Sequence, residues 1–463
     1  MAGNPLSVRM SPPKRALSIV SVLLLAVTML AVTPTSAHAQ VSYQEVSGAL
    51  PDGTLYLIRV PDNWNRVVIS DLDYRSRANG PFYQALLEKG YGLSGTARRA
   101  DRRDTWDAAD DVARVQMVLS IFKSHFGEPD RVIAYGRSAG GGAAMNTAEL
   151  HPDTTDGAVA ICATTPYLTA NQIFDFFFTL KALLGPDDDT LKIHDIPADA
   201  SAIVARWRDV LEAARQTPEG RARIALAFTI AQYPAFGSPG GESLDQKNTK
   251  ELEAAFSSTV MSLLSRLATI YEFERVPGVL ANDGADYAEY FRNGDPMYKK
   301  AVRELYRNAG LDLERDIEQV NAAPRLPVDM AAAKEWLENP GRTPEGNPPV
   351  PLLRMHTTGD LTIPQEQVQV YTDQVKKNGK MPLYRTVTVD RGGHCTFTTG
   401  EELAAVEVMM SRLDTGRWGD TSPSKMNELA ASLDNTATPN FIHRQLRKFN
   451  GEWRLHAYSD RFK

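Results

Sequence analysis

Apolar and polar positions along the chain fall into two textures. The runs Val41 to Val46, Leu55 to Val60 and Val67 to Asp71 are broken by Pro51-Asp52-Gly53 and Pro61-Asp62-Asn63. That is the punctuation of strands and turns. Pro81 to Lys89 reads as a short helix closed by Gly90, and Tyr91 to Thr96 as a strand. Trp106, Val112, Val115, Val118, Leu119, Phe122 and Phe126 keep the three-and-four spacing of a helix lying on a sheet. Arg131 to Ala134 and Gly157 to Cys162 read as buried strands. From about Pro166 to Gly346 helical patterns follow one another without a strand, among them Asn171 to Leu184, Ala200 to Gln216 and Glu251 to Arg275. Alternation then resumes, with strands at Pro351 to His356 and Leu383 to Val389 and helices at Gln365 to Lys376 and Glu401 to Leu413. Strands alternating with helices imply a mostly parallel central sheet flanked by helices.

Composition narrows the class without changing that picture. The chain has 463 residues, 43% hydrophobic and 23% charged, as in a globular protein. Residues 1–39 hold Arg9, Lys14 and Arg15 and no acid, so the net charge of −6 becomes −9 from residue 40 onward. No long basic cluster breaks this balance, which argues against a nucleic-acid partner. Ala16 to Val32 is apolar apart from Ser and Thr, and Ala37-His38-Ala39 fits a small-x-small cleavage site. The expectation is a signal peptide cut after Ala39, a secreted or periplasmic protein, and no stable membrane anchor after cleavage.

The stretch around which the chain is organised is Gly136-Arg137-Ser138-Ala139-Gly140, a G-x-S-x-G turn between a strand and a helix. Glycines on either side let the helix leave the strand closely while the serine backbone is held strained, lifting its oxygen out of the sheet. A serine needs a base, and the base an orienting acid. Asp360 follows the strand ending at His356, in Gly359-Asp360-Leu361-Thr362-Ile363-Pro364. His394 follows the next strand, in Gly392-Gly393-His394. Asp187-Asp188-Asp189 reads as a solvated loop rather than a cation site, and no metal-ligand cluster, phosphate loop or dinucleotide fingerprint stands in the sequence. No metal and no cofactor are inferred.

With those motifs in that order, the chain resembles a secreted member of the α/β-hydrolase superfamily with an all-helical cap inserted between core strands six and seven. The resemblance covers about residues 42 to 415. It implies a hydrolase core over 40–165 and 347–415 and a cap over 166–346; the signal peptide expected over 1–39 and a C-terminal extension of unknown role over 416–463 lie outside it. It also implies Ser138 as nucleophile, His394 as general base and acid, and Asp360 as orienting carboxylate. The Ala139 N–H is expected in the oxyanion hole. Many members supply the second donor from His-Gly after the third strand. Here that place reads Asp71-Leu72-Asp73-Tyr74, which leaves a backbone N–H near Asp73 or Tyr74, or the Tyr74 hydroxyl.

Other residues admit two readings. Cys162 and Cys395, the only cysteines, are either one disulfide or two buried thiols. His356 is the competing base, or a packed neighbour. Phe174, Phe176, Phe177 and Phe178 are cap core, or in part an acyl pocket. The expected activity is hydrolysis of a small-molecule or oligomeric carboxylic ester through an acyl-enzyme. The alternatives are a capped serine aminopeptidase, with Glu272 and Glu274 as candidate acids, and a non-catalytic binding protein on the same fold.

Overall fold

The computed structural model describes residues 41–236, 241, 244–274 and 278–463. The expected signal peptide and its cleavage site lie outside the described residues. Among the described residues nine strands form one sheet: β1 (Tyr43–Ala49), β2 (Leu55–Pro61), β3 (Val67–Asp71), β4 (Gly92–Thr96), β5 (Arg131–Arg137), β6 (Gly157–Ile161), β7 (Leu352–Gly359), β8 (Tyr384–Gly392) and β9 (Phe441–Ile442). Their spatial order is β1-β2-β4-β3-β5-β6-β7-β8-β9. β1 and β2 form an antiparallel hairpin and β2 runs antiparallel to β4. From β4 through β8 every pairing is parallel, and β9 closes the edge antiparallel to β8. This is the α/β-hydrolase fold.

The pleat explains the apolar runs. Successive residues of a strand point to opposite faces, and here both faces are covered. Ile133 and Tyr135 pack with Phe82, Leu86 and Leu403, from the helices Pro81–Glu88 and Thr399–Thr415. Their neighbour Ala134 packs with Ala144 and Met145, from the helix Ala139–Leu150. β3, β4, β6 and β7 are buried at every position.

The stretch between β6 and β7 is helical and has its own core. Its hub is the helix Pro166–Leu184, of whose residues only Lys181 and Leu184 are not buried. Burial on all sides is why its phenylalanines need share no face. Phe177 packs on Trp207, Phe176 on Phe228 and Tyr233, and Phe178 on Tyr287. Among the described residues no helix is long and apolar enough to cross a membrane.

The chain after residue 416, for which the sequence offered no role, joins both parts. The helix Pro423–Leu433 packs Met426 and Ala430 into the sheet's core, and β9 adds to the sheet. Arg447 then reaches Asp295 of the helical segment at 2.5 Å and Glu366 of the helix Glu366–Lys377 at 2.7 Å. Arg454 grips Asp175 with a two-nitrogen fork at 2.8 and 3.0 Å, and both side chains are buried. The Tyr287 hydroxyl donates to the same carboxylate, and Arg454 Nε donates to the Ala281 carbonyl. The pair is thereby hydrogen-bonded as well as charge-matched, the condition for burying two ions.

Candidate active site

Ser138 sits between β5 and the helix Ala139–Leu150 with φ 59° and ψ −120°. A non-glycine residue in that region stores about 1–3 kcal/mol and persists only when its surroundings over-determine it. They do so here. The Ser138 N–H donates to the Ile161 carbonyl at 2.9 Å, and the Ser138 carbonyl accepts from Gly142 and Thr164, each at 3.1 Å. A Cβ at Gly136 would lie 2.2 Å from the Gly140 carbonyl oxygen, so only glycine lets strand and helix cross this closely. Ala139 begins the helix, where the first N–H groups have no intrahelical partner.

Asp360 follows β7 and is fully buried. Its Oδ1 accepts from the N–H groups of Thr362 and Ile363 at 2.8 and 2.9 Å. Its Oδ2 stands 2.8 Å from His394 Nδ1. The first pair of bonds fixes the carboxylate; the second gives His394 the tautomer with Nδ1–H, leaving Nε2 as the basic nitrogen. Gly393, at φ 101°, turns the loop after β8 back, and its N–H donates to the Gly359 carbonyl at 2.8 Å.

The next residue ties this loop to the serine turn. Cys395 is disulfide-bonded to Cys162, with Cα atoms 5.5 Å apart. Cys162 directly follows Ile161, whose carbonyl holds the Ser138 N–H. Cys395 Sγ is 3.6 Å from His394 Nε2. The histidine loop, reached across β7, is thus covalently fastened one residue from the anchor of the serine. Of the two cysteine readings, the bridge is the one present.

No protein-family model matches the chain. It is 37% identical over 449 residues to o-phthalyl amidase of Xanthobacter agilis, an alignment covering 90% of this chain and 99% of that protein. The chain belongs to the o-phthalyl amidase family. Solved structures with a similar fold include feruloyl esterase B of Aspergillus oryzae (TM-score 0.44, 13% identity, 82% of each chain). Another is an acylaminoacyl peptidase (TM-score 0.37, 11% identity, 84% of this chain and 44% of that one). This member of the family is a hydrolase.

The loop after β3 departs from what its sequence suggested. The Asp73 N–H is taken, donating to Asp71 Oδ1 at 3.0 Å. The Asp73 carboxylate accepts from Nε and Nη2 of Arg98, both at 2.7 Å. The Tyr74 hydroxyl belongs to a side chain buried in the core that also holds Phe82, Tyr83 and Tyr135. The groups that act on that hydroxyl, Arg59, Tyr43 and Glu45, belong to β1 and β2. The helix Tyr74–Arg77 begins at this residue and turns its side chain inward. Asp71 is buried against the Tyr83 hydroxyl; burial, then the Asp73 charge, push its carboxyl up to about 6.

The competing histidine is a core residue. His356 is buried, and its Nε2 donates to the Ile363 carbonyl at 2.7 Å. Desolvation lowers its pKa to about 4, so it is neutral near pH 7. Glu274 accepts from the N–H groups of Asp195 and Ile196, which assigns it to pinning a loop. Asp188 pairs with Arg206 and accepts from Thr190, a loop role for the triple aspartate. Sequence reasoning missed the support behind the serine turn: Arg137 pairs with Glu402, which also accepts from the Tyr135 hydroxyl at 2.6 Å.

Proposed function

We propose that the protein hydrolyses an acyl bond through Ser138, His394 and Asp360, and that the bond is an amide of an o-phthalyl-type acid. The observation that carries the catalytic part is the 2.8 Å contact of Asp360 Oδ2 with His394 Nδ1, on a loop bridged to the serine turn. The name of the Xanthobacter relative supports the amide and the acyl group. An ester, the reading favoured by the sequence, yields to the same chemistry.

Ser138 Oγ attacks the carbonyl carbon while His394 Nε2 takes its proton. The negative charge that develops on the oxygen meets the Ala139 N–H. A second donor is the Tyr74 backbone N–H, which heads its own short helix. Losing one such donor typically lowers the rate about 10²–10³-fold. The imidazolium returns the proton to the departing nitrogen, the C–N bond breaks, and an acyl-serine remains. Water then attacks, giving its proton to Nε2, and the acid and free serine are released. The disulfide supports work outside a reducing compartment, and we carry the export reading of residues 1–39 forward on that ground.

The test is fluorophosphonate labelling with peptide mapping, followed by comparison of an o-carboxybenzoyl anilide with a p-nitrophenyl ester. Label on Ser138 and cleavage of the anilide are expected. Cleavage of the ester alone would return the assignment to an esterase.

A further inference from the structure

The helix Thr249–Glu274 is tied at two points to the edge of the sheet that carries the triad. At Thr259, the hydroxyl donates to the Phe236 carbonyl. The Phe236 ring lies against β7's last residue, so closely that a Cβ on Gly359 would be 2.5 Å from it. At Phe273, the ring packs edge-on to Trp106, in the chain segment that follows β4. In the sheet order, β7 and β4 stand on opposite sides of β5, which ends in Ser138. The helix therefore crosses above the serine turn.

Arg266 is seven residues from each anchor. Seven residues bring a helix round to within about 20° of the same face and advance it about 10 Å. Arg266 thus shares the face of Thr259 and Phe273 and lies midway between them. Its Nε is buried and has no hydrogen-bond partner, and among the described residues no carboxylate pairs with it. The nearby cations are already engaged: Arg98 with Asp73, Arg102 with Asp111, Arg137 with Glu402. The buried Tyr233 hydroxyl feels the charges of both Arg266 and Asp360. An unpaired, partly desolvated guanidinium is unfavourable unless an anion joins it. Its planar fork matches a carboxylate. The rings of Trp106, Phe236 and Phe273 along the same face suit an aromatic body.

We propose that Arg266 binds a carboxylate on the acyl part of the substrate, selecting amides or esters of aromatic acids that carry a second, adjacent carboxylate. This rests on the hydrolase reading above and deepens it.

The full-length protein is assayed with o-carboxybenzoyl p-nitroanilide and its neutral benzoyl counterpart. The wild type is expected to prefer the carboxylated compound. Arg266→Gln is expected to lower kcat/KM for that compound about 10- to 100-fold, the loss of one charged hydrogen-bonded contact. The neutral compound should stay within a few-fold, and Arg266→Lys should recover part of the preference. Phthalate should protect Ser138 from the fluorophosphonate in the wild type and not in Arg266→Gln. An unchanged preference in Arg266→Gln, equal loss on both compounds, or no preference in a wild type that labels at Ser138 would each overturn the role of Arg266. Failure of Ser138 to label would instead reject the hydrolase reading on which it rests.

Discussion

Cys162 and Cys395, 233 residues apart in sequence, are joined in a disulfide that sets the residue after His394 beside the strand end that holds Ser138. Closing so long a loop restricts the unfolded chain, and such bridges typically contribute about 2–4 kcal/mol. The double variant Cys162→Ser, Cys395→Ser should melt at a lower temperature and lose turnover more than substrate affinity. Thiol titration of the denatured, unreduced protein should find none. Two titratable thiols would reject the bridge.

Ser138→Ala and His394→Ala should each abolish hydrolysis while far-UV circular dichroism stays that of the wild type. Asp360→Asn should reduce kcat by about 10³–10⁴-fold, because the imidazole loses the partner that fixes its tautomer. His356→Gln should stay within a few-fold, since the imidazole it replaces is neutral and donates to a carbonyl. A collapse of kcat in that variant would make His356 the base.

Tyr74→Phe should leave turnover unchanged. Its hydroxyl is buried, meets no geometrically good hydrogen-bond partner and feels the Arg59 charge, so its removal should change stability little. A fall in kcat at constant KM would restore the hydroxyl to the oxyanion site.

Arg454→Met should destabilise the protein by about 3–5 kcal/mol, the usual penalty for leaving a buried carboxylate without its ion partner. Chemical denaturation of wild type and variant, compared at constant slope, reads this directly. A change under 1 kcal/mol would show that Asp175 finds another partner or water.

Glu149 supplies the clearest pH signature. Its carboxylate accepts from the N–H groups of Glu345, Gly346 and Asn347 and from the Tyr371 hydroxyl, yet burial dominates and raises its pKa from 4.5 to about 7. The folded protein then holds a proton that the unfolded chain releases between those values, so stability falls as pH rises through this window. The shift corresponds to a change on the order of 3 kcal/mol. Relative to Glu149→Gln, the wild type should lose melting temperature steadily from pH 4.5 to 7 and run parallel above it. A parallel pair of curves throughout would exclude the shift.

Local punctuation made much of the sheet and the proposed triad positions legible. β5, β7 and β8 each end in a loop whose glycines and polar residue announce a purpose, and the alternation of strand and helix set their order. What escaped depends on partners far along the chain. Arg137 meets Glu402 and Arg454 meets Asp175 across hundreds of residues, and neither leaves a periodic trace. Tyr74 was harder to read for the opposite reason: its place after the third strand offered its hydroxyl as an oxyanion donor, but a single helical turn carries its ring into the core. Arg266 is the one charged residue between Glu253 and Glu272 of a long helix. Its meaning comes only from what Thr259 and Phe273 touch.

The fork between Asp175 and Arg454 also orders events in time. The two residues are separated by 279 positions. At roughly 5–20 residues per second, the ribosome makes the arginine roughly 15–55 s after the aspartate. Throughout that interval the hub of the helical segment lacks its counter-ion and has reason to stay open to chaperones. Final closure therefore waits until synthesis has passed Arg454, and a chain stopped before that residue should be marked for proteolysis rather than work as a slow enzyme.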